Sequence, residues 1–253
     1  MRIEHMSRNG VWDKRTCRGR RRILYPAGIV LLLILAAGVF LALRVRGSVA
    51  VHAKKEIMPQ EVVYFRQDDE RWADERLGDS RYTMKSSGCL VCCITSAVVM
   101  GGEGEETPFT INERFSRQGV YDSEGNILWD NLRKPGRYEV EVFDRAYEEL
   151  LMECLTEGRF PIVRVRVNGV GNFHYVLITG ARDGEFYCMD PQKDGERSLA
   201  EYGNRIYAAR VVRPVKDSAS RRVFLRNNQS VNRDTGDTEN RTPFGTDAAI
   251  NAL

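Results

Sequence analysis

The chain has 253 residues, with 38 basic and 35 acidic side chains and three histidines, for a net charge of +3. Much of the basic excess crowds into Lys14, Arg15, Arg18, Arg20, Arg21 and Arg22, a block that abuts an apolar run and has no interleaved aromatics, so nucleic-acid binding is not expected. An apolar segment at one end and a polar segment at the other leave one domain's worth of chain between them.

Residues 23–43, ILYPAGIVLLLILAAGVFLAL, carry no charge and lie between Arg22 and Arg44. At about 1.5 Å per residue, such a run crosses a hydrocarbon layer of roughly 30 Å, so a transmembrane helix is expected. More Lys and Arg precede it than follow it, which places 1–22 in the cytoplasm and the rest outside, a single-pass type II arrangement. A cleaved signal ending near Ser48-Val49-Ala50 is the rival, disfavoured by the length of the run and by the intervening Arg44 and Arg46. Residues 44–61 read as a juxtamembrane stalk, 62–215 as the domain, and 216–253 as a polar tail too poor in apolar surface to offset its ordering entropy.

Inside the domain the pattern is helical first and stranded later. Cys89 to Met100, CLVCCITSAVVM, reads as a buried helix stopped by Gly101-Gly102; further helices are expected over 112–117 and 144–157. Strands follow from Ile162 (IVRVRV), from His174 (HYVLIT), over 185–189 (EFYCM) and over 205–212 (RIYAARVV), with turns at Asn168-Gly169, Asp183-Gly184 and Asp194-Gly195. The sum is an α+β domain, N-terminal helices on an antiparallel sheet, preceded by one transmembrane helix.

His5 and His52 flank the apolar run, which leaves His174 as the base of any cysteine chemistry in the domain. Cys89 opens a helix, where a thiolate is favoured, and an imidazole beside it can accept the thiol proton and later hand it to a leaving group. Asp190 ends the next strand, where an adjacent strand can bring its carboxylate to the imidazole and fix tautomer and orientation. Gln67 can donate its amide to the oxyanion formed on attack.

The stretches FRQDDERWADERLG, SSGCLVCCITSAVVM, GRFPIVRVRV, FHYVLITG and YCMDP resemble the papain-fold cysteine peptidases of the bacteriocin-leader-processing, double-glycine type over about 62–211. The resemblance implies that Gln67 is the oxyanion donor, Cys89 the nucleophile, His174 the base and Asp190 its orienting partner. It also implies a papain-like fold and a peptide or protein substrate. The leader-processing members are usually fused to an export ATPase and act in the cytoplasm, whereas this chain has no ATPase segment and its domain is expected outside. Wall peptides, amides and surface proteins are therefore equally open as substrates.

Other readings compete for the same residues. Cys89, Cys92 and Cys93 could form a redox pair or disulfide outside the membrane, although buried thiols suit Cys92, Cys93, Cys154 and Cys188 better. No cofactor and no metal are expected: one histidine does not make a zinc site, and DPQKDGE lacks the alternating ligands of a calcium loop and reads as a turn. Trp72, Trp129 and Tyr64 read as core or cleft-wall aromatics, and Arg164 with Arg166 as a solvated strand face able to meet an acidic partner. The expectation is a monomeric, membrane-anchored cysteine peptidase-like hydrolase. Two alternatives remain: a non-catalytic peptide- or wall-binding module on the same fold, and an acyltransferase with the same residues.

Overall fold

A computed structural model describes residues 16–58, 61–102 and 104–215, with side chains from Gly28 onward. The tail expected over 216–253 and most of the basic segment lie outside the described residues. The chain divides into two units at Arg46/Gly47.

The first unit is helix α1, Thr16–Val45, which contains the apolar run. Its window Gly28–Val45 has a mean hydropathy of 2.6 and no buried share. The helix is long and apolar enough to cross a membrane, and a signal sequence near an N terminus meets the same description.

The second unit begins earlier than the sequence suggests. Strand β1, Val49–Ala50, pairs antiparallel with β7, Arg205–Ile206; Val51 is buried, and Ile57 bridges Ala181. Part of the expected stalk therefore belongs to the domain, because its apolar residues find partners more than 150 positions downstream. His52 comes with it, so His174 is not the domain's only histidine; His52 is exposed and His174 buried.

The helices open at sequence-encoded caps. The side chain of Thr83 accepts the Ser86 amide to start α2, Met84–Ser87, and Thr107 accepts the Thr110 amide to start α4, with Pro108 at its first position. That cap makes α4 Pro108–Arg117, four residues longer at its start than expected. Between them, α3 runs Cys89–Met100 as expected and is buried from Cys89 to Val98. After the short α5, Trp129–Arg133, comes strand β2, Tyr138–Phe143, whose apolar residues alternate with Glu139 and Glu141. Helix α6 is Glu148–Thr156, shorter than the expected 144–157, since Tyr147 is extended and exposed at its N-cap.

Strands β3 (Ile162–Arg166), β4 (Phe173–Arg182), β5 (Glu185–Met189), β6 (Glu196–Ser198) and β8 (Ala208–Pro214) join β2 in a six-stranded antiparallel sheet ordered β2-β8-β3-β4-β5-β6. Asp183 and Gly184, both at positive φ, make the two-residue hairpin between β4 and β5. The single strand expected over 205–212 is two, broken at Tyr207, so that β7 pairs with β1 while β8 enters the main sheet.

Both faces of the sheet are covered. Ile162, Leu177, Met189 and Val212 pack with α3 residues and Trp72, while Val163, Val176, Ile178 and Ala209 pack with Leu151, Leu155, Leu199 and Tyr202. The domain is α+β with an antiparallel sheet between two apolar layers, and burial on both sides is what fixes its register.

Candidate active site

Helix α3 begins where α2 ends, and Gly88 is the joint. Its φ of −79° is ordinary, but a Cβ there meets the Met84 carbonyl oxygen at 2.5 Å, so only glycine lets the two helices approach this closely. Cys89, the next residue, therefore sits in the first turn of α3, whose N–H groups have no intrahelical partners and favour developing negative charge. The Cys93 thiol, one turn on, reaches the Tyr175 carbonyl at 3.6 Å, which ties the start of α3 to the start of β4.

His174 is the second residue of β4. Pairing of Leu177 with Met189 brings the end of β5 alongside it, and Asp190 follows Met189 directly. Nε2 of His174 lies 2.6 Å from Oδ1 of Asp190 with both groups buried. That bond leaves Nδ1 as the ring nitrogen available to Cys89, which lies close enough to raise the pKa of the imidazole. The Gln192 amide donates to Asp190 Oδ1 at 2.8 Å, and the Tyr202 hydroxyl donates to Oδ2.

Gln67 reaches the same place along a separate path. Its backbone amide donates to the Pro191 carbonyl at 2.9 Å, and its side-chain Nε2 donates to the Lys85 carbonyl at 2.6 Å, one turn ahead of Cys89. Trp72 Nε1 donates to the Arg66 carbonyl at 2.7 Å and so pins the preceding residue. One Gln67 N–H is thus spent on orientation, and the second remains for an oxygen placed beside Cys89. Its Oε1 is buried without a hydrogen-bond partner among the described residues.

The electrostatics follow from this packing. Burial alone lowers the pKa of His174, but the hydrogen bond to Asp190 and the nearby Cys89 thiol, with their charges, raise it to about 10. Burial pushes Asp190 the other way, and the His174 and Tyr202 contacts outweigh it to hold the carboxylate below its ordinary range. Burial drives the Cys92, Cys93 and Cys188 thiols well above the usual thiol value and Cys154 up to about 11. All five described cysteines are free, so Cys89 and Cys92 form no disulfide.

Cys89, His174, Asp190 and Gln67, named from sequence, are thus brought together at the α3 N terminus. Tyr202 was missed. Ser198 and the left-handed Gly203 mark the short 3-10 turn that carries it, but no local signal says that its hydroxyl reaches Asp190. The DPQKDGE turn closes through the Lys193 amide to the Asp190 carbonyl; Asp194 pairs with Arg66 and Glu196 with Arg182. Trp72 is core, Trp129 packs at its margin and Tyr64 is exposed.

Arg164 and Arg166 do not form the solvated face expected of them. Both are half-buried over the Phe173 ring, their guanidinium carbons 4.4 and 3.9 Å from its centroid. The flat guanidinium stacks on an aromatic face better than it hydrates.

No protein-family model matches this chain, and a comparison with curated proteins finds no match.

Proposed function

We propose that the domain from Gly47 to Val215 is a papain-like cysteine hydrolase that cleaves a peptide or amide bond. In this reading α1 anchors it in the membrane with the domain on the extracytoplasmic side. The observation that carries the proposal is the buried His174 imidazole, bonded to Asp190 through one nitrogen and near enough to Cys89, at the start of α3, for the thiol to raise its pKa.

The chemistry is covalent acyl transfer. The thiol proton of Cys89 passes to His174 as the sulfur attacks the substrate carbonyl carbon, forming a C–S bond and an oxyanion. Gln67 Nε2 and the Cys89 backbone amide donate to that oxygen. The tetrahedral carbon collapses, the C–N bond breaks, and His174 gives its proton to the departing amine. His174 then takes a proton from water, whose hydroxyl adds to the thioester, and the carboxylic acid leaves as the Cys89 sulfur is released. Asp190 keeps the ring oriented through both half-reactions.

The test uses the full chain in detergent, with iodoacetamide at neutral pH, peptide mapping and a panel of peptide substrates. The expected result is alkylation of Cys89 ahead of the four other described thiols, slowed by His174→Ala, with turnover abolished by Cys89→Ala. If Cys89 reacts no faster than an ordinary free thiol and no peptide is cleaved, the reading fails. Binding of a peptide by Cys89→Ser without turnover by the wild type supports the binding-module alternative instead.

A further inference from the structure

We infer that Arg164 and Arg166 form a subsite for a carboxylate of the substrate, an acidic side chain, on the sheet face covered by α3, the helix that Cys89 opens; this rests on the cysteine-hydrolase reading above. The register of β3 on β4 places Arg164 opposite Tyr175, Val165 opposite His174 and Arg166 opposite Phe173, so the two arginines flank the position of His174 in the sheet while their side chains leave on the face opposite to its imidazole. Side chains alternate along a strand, which puts both arginines on the side of Tyr175. Tyr175 packs against the apolar cluster that contains Cys92 and Cys93, so this is the side of the sheet that α3 covers.

Other arginines of the domain meet carboxylates: Arg114 pairs with Glu106, Arg159 with Glu141, Arg182 with Glu196 and Arg197 with Glu201. Arg164 and Arg166 have no carboxylate partner among the described residues, and the Nε of each is buried without a hydrogen bond. Arg166 gives one N–H to the Gly171 carbonyl at 2.7 Å. Two half-desolvated like charges side by side raise each other's cost, and one anion between them relieves it. Phe173, braced edge-on by Tyr207 at a ring separation of 5.0 Å, holds both guanidinium planes in place before any ligand arrives. That preorganisation suits bidentate recognition of a carboxylate.

The experiment uses the full chain in detergent and peptides that carry Glu, Gln or Lys in turn at each position around the cleaved bond. At one position Glu is expected to exceed Gln by about tenfold or more in kcat/KM, as charge-assisted hydrogen bonds imply. Arg164→Gln with Arg166→Gln is expected to erase that preference, read as the ratio of Glu to Gln peptide cleaved by the same variant, and the Lys pair of variants to keep part of it. In the wild type alone, raised salt is expected to slow cleavage of the Glu peptide and spare the Gln peptide. Peptides ending in a free carboxylate or an amide separate an acidic side chain from a chain terminus; a preference that follows the terminus overturns the side-chain assignment. Cleavage with no preference for Glu, or a preference untouched by both variants and salt, overturns the subsite and leaves the hydrolase reading standing. No cleavage at all, with Cys89 unreactive, overturns both.

Discussion

The Tyr202 hydroxyl donates to Oδ2 of Asp190, and the rest of its side chain is buried in the apolar layer opposite α3. Oδ1 faces His174 and the Gln192 amide, so the carboxylate is held from both ends and cannot rotate away from the imidazole. Tyr202→Phe keeps the ring and removes this bond. A hydrogen bond to a charged group contributes about 1.5–3 kcal/mol, and the urea midpoint is expected to fall accordingly. Because the Tyr202 bond also helps hold Asp190 below its ordinary range, acid unfolding of the variant is expected to begin at higher pH. An unchanged acid limb would mean that Tyr202 only fills space.

Stability should also decline on the alkaline side, for the reason that His174 is raised. Its folded value of about 10 lies above the ordinary 6.5, so its contribution is complete below about 6.5 and is lost as pH rises towards 10. Asp190, lowered on folding, contributes above its ordinary 3.8 and loses that contribution as pH falls through its folded value. Urea midpoints of wild type and His174→Gln are therefore expected to differ most between these limits and to converge near pH 10. Equal differences at pH 6 and pH 10 would contradict the raised value.

What was legible in the sequence is local, and what was missed is largely remote. The compact run Cys89–Met100 before two glycines, and the Asp183-Gly184 pair between alternating strands, each fix their own geometry, and both elements formed as read. The pairing of Val49–Ala50 with Arg205–Ile206 and the reach of Tyr202 to Asp190 depend on the finished fold, and a polar neighbourhood disguised the first as stalk. Tyr147 misled in another way, because its spacing from Leu150 and Leu151 mimics a helix face while its own backbone is extended, at the N-cap of a helix that starts only at Glu148. Arg164 and Arg166 alternate as a solvated face does, and only the cross-strand Phe173 turns them into a stacked pair. The Thr107-Pro108 start of α4 was legible and passed over.

Gly88→Ala tests whether the close joint between α2 and α3 sets the position of Cys89. The added methyl meets the Met84 carbonyl oxygen at 2.5 Å and its Cα at 2.8 Å, neither of which can swing aside like a side-chain tip. Overpacking of this kind costs about 1–3 kcal/mol and shifts the backbone. The variant is expected to lose several degrees in Tm and to alkylate more slowly at Cys89 than its stability alone would dictate. Normal alkylation at a lowered Tm would show that the joint supports the fold and not the thiol.

Gln67 can be separated from the thiol's own reactivity, because it touches neither Cys89 nor His174 in any hydrogen bond described above. Its Nε2 is aimed by the Lys85 carbonyl and its backbone by the Pro191 carbonyl, a fixed donor between the α3 N terminus and the Asp190 turn. Loss of one oxyanion donor costs about 10²–10³ in kcat, and Gln67→Ala is expected to fall in that range with KM little changed. Iodoacetamide displaces iodide at a saturated carbon and forms no oxyanion, so alkylation of Cys89 is expected to proceed at the wild-type rate. Gln67→Glu, which replaces the donor with a carboxylate facing the Lys85 carbonyl, is expected to impair turnover at least as much. Equal losses in alkylation and turnover would place Gln67 in the support of the thiol, and no loss in either would remove it from the site.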